Sequence, residues 1–291
     1  MSIAEELKQS FKSGSTLTKL IYINLSVFLV VKLIGVFYFL FKIDDGFSLI
    51  SWLAVPADLT NLARKPWTVF SYMFLHQDFL HILFNMLWLY WFGQIFLHYF
   101  DQKKLLSVYL LGGLSGAFIY ILTFNIFPVF TDILPVSYAL GASASVIAIV
   151  IAVSVYAPNH TIHLLFFGPV KLKYIALITI LIDILSIAST NAGGHLAHLG
   201  GAMFGYLYIV QLKRGNNITK FFDRFMDWVF SIFKPRPKIK ITYKRPVNDM
   251  DYNKTNAQKQ AEIDKILDKI AQSGYESLSK KEKEVLFKNS K

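Results

Sequence analysis

Four polar side chains, Ser143, His198, His81 and Asn85, lie within long apolar stretches of the sequence, where lipid would make them costly. A serine hydroxyl becomes a nucleophile when a base takes its proton, and histidine is the usual base near neutral pH. Acyl transfer also needs hydrogen-bond donors for the oxyanion. The residue types therefore predict a hydrolase with Ser143 as nucleophile, His198 as base, and His81 with Asn85 as oxyanion donors.

Two further polar residues, His195 and Asp183, accompany this set. We interpret His195 as an accessory residue that shapes the site or bonds the backbone. We interpret Asp183 as a residue that bonds within the bundle or is protonated, with an accessory role of holding His195 or His198 as the alternative. Imidazoles and carboxylates are also zinc ligands, so a metal-dependent membrane hydrolase is the alternative chemistry. The sequence lacks the H-E-x-x-H motif with its built-in general base, which favours serine chemistry.

The composition indicates a membrane protein that carries these residues on helices. The chain has 291 residues, 54% of them hydrophobic, and no cysteine, which excludes disulfides, thiolate metal sites and a cysteine nucleophile. Six apolar stretches approach the ~20 residues that a bilayer-spanning helix needs. They are residues 20–41, 79–99, 105–124, 137–156, 172–190 and 193–212. We therefore predict an all-α polytopic membrane protein with six transmembrane helices.

The distribution of charge predicts the orientation of these helices. Residues 1–212 carry 11 basic and 9 acidic side chains and residues 213–291 carry 19 and 10, so the second segment holds +9 of the net +11. Basic residues also favour the loops on the side of the N-terminus, which predicts that both termini are cytoplasmic. The second, fourth and sixth helices would then start at the outer face. Asn85, Ser143 and His198 would lie five or six residues in, roughly 8–9 Å deep, with Asp183 at a similar level.

Small residues accompany the polar ones. Gly141 precedes Ser143, and Gly201 with Gly205 follows His198 at a GxxxG spacing. Small residues let membrane helices approach closely, as proton transfer between side chains on two helices requires. The first outer connection, about residues 42–78, is long, aromatic and without obvious helices, and we expect it to lie in the membrane surface.

Three sequence motifs resemble those of the rhomboid family of intramembrane serine proteases. HILFN resembles its H-x-x-x-N element with His81 and Asn85, and GASA resembles its G-x-S-x motif with Ser143. AHLGGAMFG resembles A-H-x-x-G-x-x-x-G, with His198 as base and packing glycines at Gly201 and Gly205.

The resemblance implies a six-helix rhomboid-like bundle that cleaves single-pass membrane proteins with a Ser–His dyad and no metal or cofactor. It implies the bacterial inner membrane as location, with the fifth helix gating substrate entry. Relatives often place an aromatic near position 147 beside the catalytic histidine, whereas this chain has Ile147, so another group must orient His198. A catalytically silent membrane chaperone or adaptor of the same fold is the second alternative, although such relatives usually lack the serine or histidine.

The sequence as a whole is predicted to contain four regions. Residues 1–19 form a cytoplasmic N-terminus and residues 20–212 the membrane domain. Residues 213–255 form a basic segment with an amphipathic helix and a proline-rich linker, whose part 213–245 suits anionic lipids rather than nucleic acid. Residues 256–291 form a small helical hairpin, with a capping box at Ser279 and Glu282, that would contact the membrane domain, a second copy or a partner.

Overall fold

The computed structural model describes residues 2–43, 49–164, 168–233 and 249–288. The chain is an all-α polytopic membrane protein that divides into two compact units, Met1–Phe233 and Lys234–Lys291. The described helices of the first unit are α1 (Ile3–Ser13), α2 (Thr16–Leu40), α3 (Leu49–Leu53), α4 (Leu59–Arg64), α5 (Thr68–Ser71), α6 (Phe79–Tyr99), α7 (Gln102–Ile126), α8 (Ser143–Tyr156), α9 (Leu172–Leu185), α10 (Ala192–Lys213) and α11 (Lys220–Phe233). Its described strands are β1 (Val55–Pro56), β2 (Tyr138–Ala139), β3 (Thr161–Leu164) and β4 (Gly168–Lys171). The second unit contains α12 (Asp249–Ser273) and α13 (Lys280–Lys288).

Six of these helices correspond to the six predicted apolar stretches. Within the described ranges, α2, α6 and α7 are long and apolar enough to cross a bilayer. Helix α8 is apolar but has 14 residues, as does α9, while α10 has 22.

Helix α8 lies at the centre of the bundle, where it packs against α6, α7, α9 and α10. All of its residues from Ala144 to Ser154 are buried, which fits a sequence that is apolar on every face. Helix α10 packs directly against its backbone, because a Cβ atom added at Gly201 or Gly205 would overlap the carbonyl group of Ala144 or Ala148. These glycines therefore set the distance between the two helices.

The fourth helix begins later than predicted. The expected span 137–156 starts as strand β2, which pairs antiparallel with β1, and α8 begins at Ser143. Gly141 has a φ of +128°, which other residues rarely adopt and which separates strand from helix. Ser143 is consequently the first residue of its helix, and the expectation of a helix that begins near residue 137 was wrong.

The first outer connection is also more ordered than predicted. Helices α3, α4 and α5 occupy its described part, so the expectation of a segment without helices was wrong; residues 44–48 lie outside the described ranges. These helices have four to six residues and are too short to show a periodic apolar face in sequence. The Trp52 and Trp67 rings stack at 5.5 Å, and the Trp67 indole N–H donates to the Trp52 carbonyl at 2.9 Å.

The fifth helix is shorter than the predicted stretch 172–190, since α9 ends at Leu185. Leu172 and Asp183 are its buried residues among those described, while much of its apolar surface is exposed. Helix α9 is therefore attached to the bundle by few side chains, and one of them is a carboxylate.

The second unit contains the predicted pair of helices, but α12 begins at Asp249 and not near 256. The capping box is present: the backbone N–H of Ser279 donates to Glu282 Oε2 at 2.6 Å, and that of Glu282 donates to Ser279 Oγ at 3.4 Å. Lys269 on α12 pairs with Glu282 at 2.9 Å and joins the two helices. The linker predicted within residues 234–246 lies outside the described residues.

Candidate active site

Ser143 is placed by the start of α8. The first backbone N–H groups of an α-helix have no intrahelical acceptor, and the preceding Ala142 provides no side-chain cap for those of α8. The backbone N–H of Gly141 donates to the carbonyl of Tyr72 at 2.9 Å and fixes the turn before the helix. The hydroxyl of Ser143 therefore lies beside backbone N–H donors at the start of α8, at the positive end of the helix dipole.

His198 lies on the second turn of α10, opposite Ser143. Its Nε2 atom is 2.7 Å from Ser143 Oγ, within the range for direct proton transfer. This pairing agrees with the sequence expectation, and it depends on the close approach of α8 and α10 at Gly201.

Asp183 brings a third element, α9, to the same point. Its carboxylate is 4% exposed, and its Oδ1 atom lies 2.8 Å from His198 Nδ1 and 2.8 Å from His195 Nδ1. The orienting group that Ile147 cannot provide is therefore this carboxylate. Sequence reasoning allowed Asp183 to hold either histidine, whereas the structure has it contact both.

The tautomers of both histidines are assigned from these contacts. With the Asp183 carboxylate as acceptor, Nδ1–H of both His195 and His198 donates to it. In that assignment Nε2 of His198 accepts the hydroxyl hydrogen of Ser143. The continuous chain of contacts, Ser143 to His198 to Asp183 to His195, suits nucleophilic catalysis by serine.

His81 and Asn85 line the same cavity as Ser143 and His198, which has a volume of about 530 Å³. His81 Nε2 lies against Gly141, where an added Cβ would be 2.8 Å away. The Asn85 amide donates one N–H to the backbone carbonyl of His81 at 2.8 Å, and its other N–H is available to a ligand. The two predicted oxyanion donors thus lie beside the serine.

A second, mostly apolar cavity of about 320 Å³ reaches the same serine from the side. Its walls come from α6, α8, α9 and α10, with Phe84 and Trp88 on α6 facing Thr179 and Ile182 on α9. Ser143 therefore lies where a polar and an apolar cavity meet.

Some lining residues were not found from sequence. Asp78, Tyr138 and Asn191 line the polar cavity. Asp78 and Asn191 lie just outside the predicted stretches, and Tyr138 lies at the start of the stretch 137–156, which forms strand β2 there. Their only distinguishing feature in the sequence was a position near a helix start or close to Ser143. Such a position alone does not indicate a catalytic or binding role. Ser145, two residues after Ser143, is buried without a hydrogen-bond partner among the described residues.

The metal alternative has a structural basis. Among the described residues, Asp183, His195 and His198 offer three ligand atoms within 4.8 Å of one another. Two imidazoles and a carboxylate match the ligand types of a catalytic zinc site. A metal bound there would replace the hydrogen bonds that fix both histidines, so the two chemistries exclude each other and can be separated by experiment.

Comparison with known proteins identifies two regions. A family model described as a rhomboid domain matches residues 63–215, and a model described as a family of unknown function matches residues 248–291. The first of these regions contains every candidate site residue described above.

Three curated relatives match parts of the chain. RHOMBOID-like protein 12, mitochondrial, of Arabidopsis thaliana is 31% identical over 157 residues, which cover 51% of this chain and 47% of that protein. Rhomboid protease GlpG of Pectobacterium atrosepticum is 31% identical over 113 residues, 39% of this chain and 36% of that protein. Rhomboid protease GlpG of Klebsiella pneumoniae is 34% identical over 68 residues, 23% and 24% respectively. The chain thus matches less than half the length of each relative.

Proposed function

We propose that this chain, which belongs to the rhomboid family, is an intramembrane serine endopeptidase that cleaves single-pass membrane proteins in or near their transmembrane segment. The observation that carries the proposal is the chain of contacts from Ser143 through His198 to Asp183, with 2.7 Å and 2.8 Å between the atoms. The relatives named rhomboid protease support it by their names.

In the proposed reaction, Ser143 Oγ attacks the carbonyl carbon of the scissile peptide bond while His198 Nε2 takes the hydroxyl proton. The peptide carbonyl becomes a tetrahedral oxyanion, and His198 then gives its proton to the leaving amine as the C–N bond breaks. Water attacks the resulting acyl-serine ester with His198 again as base, which releases the carboxylic acid and restores Ser143.

Positive charge appears on His198 during each step. Asp183 stabilises this imidazolium and holds its ring in the required tautomer, as the carboxylate does in other serine hydrolases. His195 acts as a positioning residue, because it donates to the same oxygen of Asp183 and holds that carboxylate in place. It has no contact with the reacting serine in this arrangement.

The oxyanion has several donors within reach. The backbone N–H of Ser143 at the start of α8 is one, and the side chains of His81 and Asn85 supply others from α6. Such preorganised donors stabilise charge that exists in the transition state and cost no reorganisation when it forms.

The two cavities suggest how substrate and water arrive. The apolar cavity between α6 and α9 fits a lipid-embedded helix that approaches sideways, and the polar cavity at His81 and Asn191 fits an unwound peptide and water. The scissile segment must lose helical structure, because an intact helix keeps its carbonyls inside the backbone hydrogen-bond ladder.

We place the protein in a bacterial inner membrane with both termini in the cytoplasm. Support comes from the basic residues at the N-terminus and at the α6–α7 loop, where Lys103 and Lys104 lie, and from the bacterial relatives. Small or helix-destabilising residues are the expected feature of the substrate near the cut.

Cleavage of a single-pass transmembrane substrate by the protein in vesicles tests the proposal. We expect loss of cleavage in Ser143→Ala and His198→Ala, and unchanged cleavage in Ser145→Ala, a matched buried serine two residues away. A chelator should have no effect.

Cleavage that survives Ser143→Ala but stops with chelator would establish the metal alternative, for which Asp183, His195 and His198 would supply the ligands. A wild-type protein that binds substrate without cutting would establish the silent adaptor.

A further inference from the structure

Helix α11 is fixed beside the N-terminal end of α7, the end that the charge distribution predicts to be cytoplasmic. Asp223 accepts a hydrogen bond from Ser107 Oγ at 2.5 Å, and Asp227 pairs with Lys103 at 2.5 Å. Ser107 lies five residues after the start of α7 at Gln102, roughly 7.5 Å along its axis. Helix α7 is long and apolar enough to span a bilayer, and α11 lies beside its first turns.

One side of α11 packs on the bundle. Phe222 and Met226, one turn apart, are partly buried against the main hydrophobic core. Asp223, between them, also accepts from Thr219 Oγ1 at 3.0 Å, and this threonine is fully buried. The helix is thus held by both apolar and polar contacts, which fixes the direction in which its other sides face.

A second side, the apolar face, consists of Phe221, Phe225, Trp228 and Ile232. Their spacing of four, three and four residues places them in one stripe along the helix. Their exposures are 85%, 48%, 61% and 60%, so the described protein leaves the stripe uncovered. Four large apolar side chains in a row are costly to keep in water, and a stripe of this kind marks a binding surface.

A third side, the polar face, carries Lys220, Arg224 and Ser231. Both basic residues are exposed, and the described part of the chain gives neither a carboxylate partner. Helices of this type, with Phe and Trp on one side and basic residues on the other, lie in the plane of a membrane surface. The long basic side chains reach headgroup phosphates while their stems follow the apolar boundary.

We infer that α11 is an interfacial helix whose apolar face lies in the inner leaflet beside α7, and whose Lys220 and Arg224 bind anionic phospholipid headgroups. The partner is lipid because the helix is attached at the level where the span of α7 begins, so that the medium beside it is the bilayer boundary. The inference does not depend on the proposed protease activity, and inactive Ser143→Ala protein tests it equally well.

Because the chain has no cysteine, single nitroxide labels can be attached at chosen positions of the full-length protein. Phe221→Cys and Trp228→Cys place labels on the apolar face, and Ser231→Cys is the matched control on the polar face. Each labelled protein is reconstituted in phosphatidylcholine vesicles, with and without phosphatidylglycerol. The collision rates of the label with oxygen, which enters lipid, and with a water-soluble nickel chelate are then measured.

We expect oxygen-to-nickel collision ratios at positions 221 and 228 several-fold above the ratio at 231. Phosphatidylglycerol should raise the ratio at 221 further, and the double substitution Lys220→Gln with Arg224→Gln should remove that rise.

Equal nickel access on both faces would place α11 in water and overturn the inference. Labels shielded from both reagents would show that protein covers the face, which also overturns it, and an unchanged ratio with phosphatidylglycerol would overturn the headgroup assignment. Elution of each variant at the wild-type volume verifies that the label has not unfolded the protein.

Discussion

At the scale of single residues, one carboxylate oxygen organises the site. Asp183 Oδ1 accepts from two imidazoles that lie three residues apart on α10. Because both rings bind the same oxygen, both face α9, and the Nε2 atom of His198 points to Ser143. The orientation of the proposed base thus depends on a residue from a different helix, and the carboxylate in turn depends on His195.

The first prediction concerns Asp183→Asn. The amide keeps the size of the side chain but loses the charge and can favour the wrong tautomer of His198, so the turnover number kcat should fall by about 10²–10⁴-fold. KM should change little, because Asp183 contacts histidines and no substrate in the proposed mechanism. Steady-state cleavage kinetics in vesicles measure both constants. A kcat within twofold of wild type would contradict a role for Asp183 in orienting the base.

The second prediction concerns His195. An asparagine amide can occupy the place of the imidazole Nδ1–H and keep the bond to Asp183, whereas leucine cannot. His195→Leu should lower kcat by about tenfold, equivalent to ~1.4 kcal/mol and near the lower limit for a hydrogen bond to a charged group. His195→Asn should restore most of it, and the pH profile of kcat should shift in the leucine variant alone. Equal kcat values for the two variants would show that the hydrogen bond from His195 to Asp183 does not contribute to catalysis.

At the scale of elements, the distance between α8 and α10 determines whether Ser143 reaches His198. Gly201 and Gly205 have no room for a Cβ against the α8 backbone. The short, buried α8 and the glycines of α10 therefore act together as the frame of the site, while α9 is attached through few buried residues, Asp183 among them.

The third prediction uses two glycines in different surroundings. Gly201→Ala should lower the free energy of unfolding by about 1–3 kcal/mol and reduce cleavage, because the helices must move apart. Gly35→Ala on α2 is the matched control, since nothing beyond the adjacent backbone of its own helix lies within 4 Å of its added Cβ among the described residues, and it should be neutral or slightly stabilising. Unfolding in mixed detergent micelles measures both. Similar stability of the two variants would contradict the frame described above.

The sequence predicted the helices better than their ends. Long apolar stretches identified α2, α6, α7 and α10 within a few residues, because burial in lipid or protein requires apolar side chains along the whole length. It did not predict that Ser143 starts α8, since the φ of Gly141 and the strand pair β1–β2 depend on a partner more than 80 residues away. The double contact of Asp183 was equally hidden, because the relative rotation of α9 and α10 is a tertiary property.

At the scale of the whole molecule, a buried histidine links stability to pH. His76, in the segment before α6, is 1% exposed, and neither ring nitrogen has a hydrogen-bond partner among the described residues. Burial, with a smaller contribution from the neighbouring His81, lowers the pKa of His76 from 6.5 to about 4. The folded protein therefore holds this imidazole neutral where the unfolded chain would protonate it.

The fourth prediction follows from that difference. Between pH 6.5 and pH 4 the unfolded chain binds more protons at His76 than the folded one, so the free energy of unfolding should decrease by about 3 kcal/mol as pH falls through this window. His76→Gln should show a flatter pH dependence than wild type. His163→Gln, at an exposed position on β3, should keep the wild-type dependence. Unfolding midpoints in detergent across this pH range measure the effect, and parallel curves for wild type and His76→Gln would contradict it.

The whole chain combines a rhomboid membrane unit with a second unit matched by a family of unknown function. The capping box of α13 was readable from Ser279 and Glu282 because both partners lie within one turn. The function of the second unit could not be predicted from the sequence. In the described residues its helices α12 and α13 carry near-balanced charge and no set of side chains typical of a catalytic or binding site. That this unit contacts the membrane domain, a second copy or a partner stays a prediction.

The central claim is that Ser143 is a nucleophile activated by His198. A fluorophosphonate probe, which forms a covalent bond to an activated serine, tests it without any assumption about the substrate. The account predicts that mass spectrometry finds the probe on Ser143 in wild type and Ser145→Ala, that His198→Ala abolishes labelling, and that a chelator leaves it unchanged. Folded wild-type protein that stays unlabelled at Ser143, or labelling that persists in His198→Ala, would contradict it.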